Sequence, residues 1–203
     1  MADFNLRARA PLEGLATLGR YGAGTLNSGL VIEERTDLAL ATVIARRGAE
    51  QPLKRSMVAA FGLELPEAPR AVKRDGVCFA GIGPRQWLAS AEGPGTQDFV
   101  RRLREHLKTI ASITDQSDGR IVLRLTGEHV GDVLAKGIPV DLHPRSFKTD
   151  DVASTVMAHI GVQIHKLDDR PTFQLMAFRS FSNSLLLWFI KSAAEFGYEI
   201  KRI

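Results

Sequence analysis

The stretch TDQSDGRIVLRLTG (114–127) decides the reading of this chain. Gln116-Ser117-Asp118-Gly119 is a turn sequence, because Gly tolerates positive φ and an Asp side chain can close an Asx turn on its own backbone. On either side, Ala111–Asp115 and Arg120–Leu125 carry the β-branched and alternating pattern of strands. Downstream, Glu128–Ala135 reads as a short helix ending at Gly137. Strands follow at 152–159, 162–167 and 172–178, with Asp168-Asp169-Arg170-Pro171 as the last hairpin turn. Ser182 or Asn183 caps a final helix that runs to Phe196 and closes at Gly197.

The same order precedes it. Val31–Arg35 and Leu38–Ile44 are strands. Pro52 then opens a helix whose apolar face is Leu53, Met57, Val58 and Phe61, with Gly62 placed to end it. Pro66 and Pro69 mark a linker. Val77–Ala80 and Gln86–Ala89 form a hairpin across Gly81-Ile82-Gly83-Pro84. Thr96 caps the next helix, with Asp98 in its first turn. Phe99, Leu103, Leu107 and Ile110 recur at helical spacing, opposite Arg101, Arg104 and Glu105.

Hairpins alternating with helices predict an α+β fold with antiparallel sheets, built as duplicated strand–helix–strand halves. No residue-level repeat links the halves. The expected division is an N-terminal arm over 1–30, then one domain over 31–203 made of halves at about 31–110 and 111–203. The arm is rich in Gly and small polar residues. It admits two readings, a segment lying on a partner subunit and simple terminal disorder.

Composition is that of a soluble globular protein, with 44% hydrophobic and 25% charged residues. The net charge of +4 comes from residues 1–110, which hold 16 Lys or Arg against 12 Asp or Glu. The surplus is scattered and not interleaved with aromatics, so no nucleic-acid partner is expected. Cys78 is the only cysteine, which excludes an internal disulfide and fits a reducing compartment. The start lacks a secretory pattern, and the apolar run Leu185–Ile190 is too short to span a bilayer. No membrane association is expected, and the cytoplasm is the expected location.

Chemistry-bearing patterns are sparse. Gly22-Ala23-Gly24 lacks the third glycine of a phosphate loop, and no preceding strand supports it. His106, His129, His143, His159 and His165 form no HxxxH or HExxH pair, although His159 and His165 could approach across a turn. Asp115, Ser117 and Asp118 are explained by turn chemistry, and His143 by a hydrogen-bonded loop. Arg120, Arg145 and Arg179 could hold an anion, a loop carbonyl or an interface carboxylate. Trp87, Trp188, Phe173, Phe178, Phe181 and Phe189 are core or interface anchors. The last helix is apolar nearly all round, so it is sandwiched either in the protein's own core or by another chain. No catalytic, cofactor-binding or metal-binding residue is assigned.

GPRQWL (83–88), TDQSDGRIVLRLTG, DVLAKGIPVDLHPRSF (132–147), AHIGVQI (158–164) and DDRPTFQLMAFRSFSNSLLLW (168–188), taken together and in order, resemble the gamma subunit of heterotetrameric sarcosine oxidase. The resemblance is dense from about Gly83 to Phe196. It implies the folate-binding, aminomethyltransferase-like fold and a place beside alpha, beta and delta subunits. It also implies that FAD, FMN, NAD and tetrahydrofolate sit in those partners, with none bound by this chain. The implied role is structural, within a complex that demethylates sarcosine oxidatively. The alternative is a free-standing folate-dependent aminomethyltransferase-like protein. A weaker alternative is an RNA-modification accessory module of the same fold.

Overall fold

The computed structural model describes residues 8–23, 28–93 and 96–203, so Gly24 and the first residues of the expected arm lie outside the described residues. The strands are β1 (Gly19–Tyr21), β2 (Leu30–Glu34), β3 (Ala39–Ala45), β4 (Ala71–Arg74), β5 (Val77–Gly83), β6 (Gln86–Ala91), β7 (Ala111–Asp115), β8 (Arg120–Thr126), β9 (Val152–Met157), β10 (Ile160–Lys166), β11 (Phe173–Phe178) and β12 (Tyr198–Arg202). The helices are α1 (Glu50–Phe61), α2 (Thr96–Leu107), α3 (Val130–Ala135) and α4 (Ser182–Ala193), with a 3-10 turn at Arg179–Phe181 leading into α4.

Local chemistry accounts for the helices. Leu53 and Met57, one turn apart, bury the inner face of α1, and Gly62 ends it at φ +61 with its N–H donating to Val58 O at 3.0 Å. Val58, expected on the apolar face, is exposed, and Phe61 is only partly buried against the same core. Phe99, Val100, Leu103 and Leu107 bury α2, while Arg101 bridges Asp98 and Glu105 at 2.9 and 2.8 Å on the solvent side.

Two sheets result. The large one has the order β1-β12-β2-β8-β11-β10-β9, antiparallel except for the parallel pair β12–β2. The small one, β4-β5-β6-β3-β7, is antiparallel throughout. The turn at 116–119 forms where expected, but it does not close a hairpin. β7 pairs with β3 in the small sheet and β8 with β2 and β11 in the large one, so the turn carries the chain between sheets. A turn sequence encodes the bend and not the partner of each arm. Hydrogen bonding therefore changes sheet at 116–119 and between Glu34 and Ala39, not at 110. The segment from β3 to β7 is an insertion between the neighbouring strands β2 and β8.

Strand alternation builds the layers. Ala41 and Val43 of β3 face α1 and α2 in one core, and Ile121, Leu123 and Leu125 of β8 face α3 and α4 in another. Leu40 and Leu88 point the other way and meet Val122 and Met176, so the order is helices, small sheet, large sheet, helices. The α+β expectation with antiparallel sheets therefore holds. A seam joins the sheets at one side. Ala71 N–H donates to Asp150 O at 2.7 Å and Val152 N–H to Pro69 O at 2.8 Å, so the Pro66–Pro69 linker ends in strand-like pairing.

α4 begins at Ser182, whose hydroxyl donates to Arg179 O, and ends at Ala193, three residues before the expected Phe196. Leu185, Leu186 and Phe189 bury one face against the large sheet, Leu187 stays exposed, and Trp188 reaches across to α3. A Cβ added to Gly137 would lie 2.4 Å from Trp188 Cζ2, so the glycine makes room for the indole. The described part of the arm lies on its own domain. Leu12 is 1% exposed, its N–H donates to Glu34 Oε1 at 2.7 Å, and Tyr21 stacks on Tyr198 at 5.4 Å.

Candidate functional site

Between the sheets, where β4 and β5 face β8 and β10, lies a cavity of about 310 Å³ lined by Lys73, Cys78, Glu92, Arg124, His165 and Gln174. It adjoins a more open depression of about 650 Å³ that shares Lys73, Glu92 and Arg124 and extends to Asp168 and Arg170. Alternation on β4, β5, β8, β10 and β11 aims Lys73, Cys78, Arg124, His165 and Gln174 into the space between the sheets, and Glu92 reaches it from just beyond β6.

The charges there are spent on one another. Arg35 makes a bidentate pair with Asp37, both contacts at 2.7 Å, and a third contact with Glu92 at 2.8 Å. The Arg35 hydrogen bonds hold the Asp37 carboxyl below the usual carboxylate range. Lys73 pairs with Asp150 at 3.3 Å and donates to Leu167 O at 3.2 Å. Asp75 is taken by Arg74 at 3.3 Å. His165 Nε2 lies 3.6 Å from Asp150 Oδ1, and burial lowers its pKa against the pull of that carboxylate. Burial likewise pushes the Cys78 thiol up to about 11, so it is not a thiolate nucleophile at neutral pH. Glu92 is thus committed within the fold, while Arg124 Nε and His165 Nε2 in the lining are buried without a hydrogen-bond partner.

A second groove of about 610 Å³, lined by Pro66, Pro69, Gly81, Pro84, Arg85 and Trp87, shows the same closure. Trp87 Nε1 donates to Pro66 O at 2.9 Å, Arg85 pairs with Glu50 at 3.1 Å and Lys54 with Glu67.

The residues singled out in the sequence scatter. Ser117 N–H donates to Asp115 Oδ1 at 2.9 Å, closing an Asx turn, and Ser117 Oγ accepts from Leu40 N–H at 3.0 Å. His143 accepts from Arg145 N–H and donates its own N–H to Asp141, as a loop residue. His159 and His165 sit at opposite ends of β10, one exposed in its turn and one buried, so they do not meet. His106 packs edge-on against Phe61 and His129 stacks on Phe196 at 4.4 Å. Among the described residues no group of three His, Cys, Asp or Glu is placed to hold a metal. The backbone at Arg179 adjoins that at Arg120, its N–H donating to Gly119 O at 3.0 Å, but the Arg120 side chain goes to Gln163 and the Arg179 side chain to Arg9 O, and Arg145 lies in the turn after α3. Phe173, Trp87 and Phe189 are core anchors, but Phe178 and Phe181 are exposed. Lys73, Glu92, Arg35 and Asp150 went unpredicted. The one local signal was the run of charges in VKRDG (72–76) interrupting a strand pattern.

Comparison with known proteins gives a consistent result. The model of the sarcosine oxidase, gamma subunit family matches residues 46–195. Sarcosine oxidase subunit gamma of Corynebacterium sp. (strain U-96) is 30% identical over 145 residues, 70% of this chain and 69% of that protein. Its counterpart from Arthrobacter sp is 29% identical over 194 residues, covering 93% of this chain and 91% of the relative. Among solved structures, a chain of the heterotetrameric sarcosine oxidase from Corynebacterium sp. U-96, in complex with pyrrole 2-carboxylate, superposes with a TM-score of 0.79 at 27% identity. The match covers 93% of this chain and 96% of that one. The glycine cleavage system aminomethyltransferase T from Bartonella henselae shares the fold, with a TM-score of 0.61 at 12% identity over 86% of this chain and 48% of that one. No helix among the described residues is long and apolar enough to cross a membrane.

Proposed function

This chain belongs to the sarcosine oxidase gamma subunit family, and from that premise we propose that it serves as a structural subunit of a heterotetrameric sarcosine oxidase. Its partners in this reading are alpha, beta and delta subunits. The complex converts sarcosine, dioxygen and water to glycine, formaldehyde and hydrogen peroxide, or passes the one-carbon unit to tetrahydrofolate. FAD, FMN, NAD and tetrahydrofolate belong to the partner subunits, and this chain contributes no catalytic residue. Residues 31–203 act as one domain, and the cytoplasm is the place of action.

The observation that carries this reading is similarity to gamma subunits over nearly the whole length of both chains. The mutual pairing of Arg35, Asp37 and Glu92, and of Lys73 and Asp150, agrees with it, because these charges stabilise the layer between the sheets and are not held free for a substrate. A free-standing aminomethyltransferase is not favoured, since the chain spans about half of aminomethyltransferase T.

The test is to tag the chain, recover it from its host and record what co-elutes. A yellow complex of four different subunits with flavin absorbance is the expected outcome. A colourless, solitary, monodisperse chain that binds tetrahydrofolate would overturn the proposal.

A further inference from the structure

The inner face of the large sheet is covered by the small sheet only in part. Val122 and Met176 are buried beneath Leu40 and Leu88. One rung further out, the register sets Arg120 opposite Phe178, and Gly161 opposite Val156 on the next strands. β10 and β11 bring these pairs side by side, with Val162 opposite Ala177 one step in. This rung is bare. Phe178 is 51% and Val156 48% exposed, and a Cβ added to Gly161 would meet nothing within 4 Å.

Arg120 is the unusual member. Its guanidinium lies 4.8 Å from the centroid of the Phe178 ring, its one side-chain hydrogen bond goes to Gln163 at 3.3 Å, and its buried Nε has no partner. Among the described residues no carboxylate lies within 4.0 Å, Asp118 of the adjacent turn included. Burial without a counter-ion penalises the charged form. Arg179 adds a second cation at the same end, its side chain donating to Arg9 O. A flat guanidinium with one face on an aromatic ring and no counter-ion is suited to take a carboxylate through the donors that its bond to Gln163 leaves over.

Resting on the reading as a complex subunit, we infer that this bare rung is the docking surface for another subunit of the complex, which seats a carboxylate on Arg120 and an apolar side chain between Phe178 and Val156. The argument is charge complementarity. A half-buried, unpaired guanidinium beside exposed aromatic surface is what a desolvated interface anchor leaves when its partner is absent. The apolar last helix, by contrast, spends its main face on its own sheet.

The test uses the co-expressed, tagged complex and purified subunits. Phe178→Ala and Arg120→Glu are expected to weaken association at least about 30-fold, the factor belonging to an interface anchor. Gly161→Lys, which touches nothing in the isolated chain, is expected to block association while leaving the melting curve in place. Val58→Asp, exposed on α1 across the small sheet, is expected to leave assembly unchanged. Full assembly by all three rung variants would overturn the inference and leave the proposed function standing. So would a wild-type homodimer that Phe178→Ala dissolves. A wild-type chain that captures no subunit would overturn the proposed function itself.

Discussion

Replacing Glu34 should loosen both ends of the described chain at once. The carboxylate is 1% exposed, accepts the buried Leu12 N–H at 2.7 Å through one oxygen and takes the Arg202 side chain with the other. Glu34→Ala removes a hydrogen bond to a charged group on each side, worth about 1.5–3 kcal/mol apiece. Arg202 keeps 28% side-chain exposure and can rehydrate, so its share is counted at about 1 kcal/mol. Release of Leu12 from the core adds about 1.5–3 kcal/mol. The total is about 4–7 kcal/mol. Glu34→Gln keeps an acceptor of the same shape for Leu12 and removes only the charge, for about 1–2 kcal/mol. With a urea slope of about 2.5 kcal/mol/M, the midpoint falls by about 2 M for Ala and about 0.5 M for Gln. Circular dichroism in urea measures both, and trypsin cleavage after Arg9 and Arg20 reports release of the arm. An Ala variant within about 0.4 M of wild type, or one matching Gln, would refute the reasoning.

Gly137→Ala should destabilise by about 1–3 kcal/mol through collision with the Trp188 indole, and by less in combination with Trp188→Ala, as read by paired melting curves. His165 is held neutral by burial, its folded pKa lying below the unfolded value. The unfolded chain therefore takes up the proton first, so the site's contribution is complete above about pH 6.5 and is lost as pH falls below it. His165→Gln should flatten that limb of the stability–pH curve, and an unchanged slope between pH 5 and 7 would contradict the assignment. Cys78, with its thiol pushed up to about 11, should resist iodoacetamide at pH 7 in the folded chain and react on unfolding in urea. Rapid labelling of the native chain would show that the layer between the sheets opens.

Elements whose information is local were legible in the sequence. Leu53 and Met57 mark α1, Phe99, Leu103 and Leu107 mark α2, and Asp168–Pro171 marks the β10–β11 turn. What escaped is pairing at long range. β12, YEIKR, alternates Tyr198 and Ile200 with Glu199 and Lys201 over only five residues, and its partner β2 is remote in sequence, so its pairing is not local information. β4, AVKR, is hidden by its cations, of which Lys73 finds its partner Asp150 across the seam and Arg74 pairs with the adjacent Asp75. The alternation that buries Ile121 and Leu123 against helices also aims Arg120 and Arg124 between the sheets, but periodicity alone does not reveal that a second sheet faces them. Of the arginines named from sequence, Arg120 matters because of what it lacks, and only geometry exposes that.

The parallel pairing of β12 with β2 has a consequence for synthesis. Glu34 and Arg202 meet across 168 positions, and β2 also waits for β8, which follows the whole inserted unit. A ribosome delivering this chain at about 5–20 residues per second leaves β2 without either neighbour until the insertion has emerged, and without β12 until almost everything has. The inserted layer, whose strands all lie between residues 39 and 115, can fold first and act as a clamp that brings β2 and β8 together. The large sheet is thus a late-closing structure. Any cell making this chain must shield an apolar, unpaired β2 for the seconds before closure, which argues for a chaperone or an early-arriving partner chain at that stage.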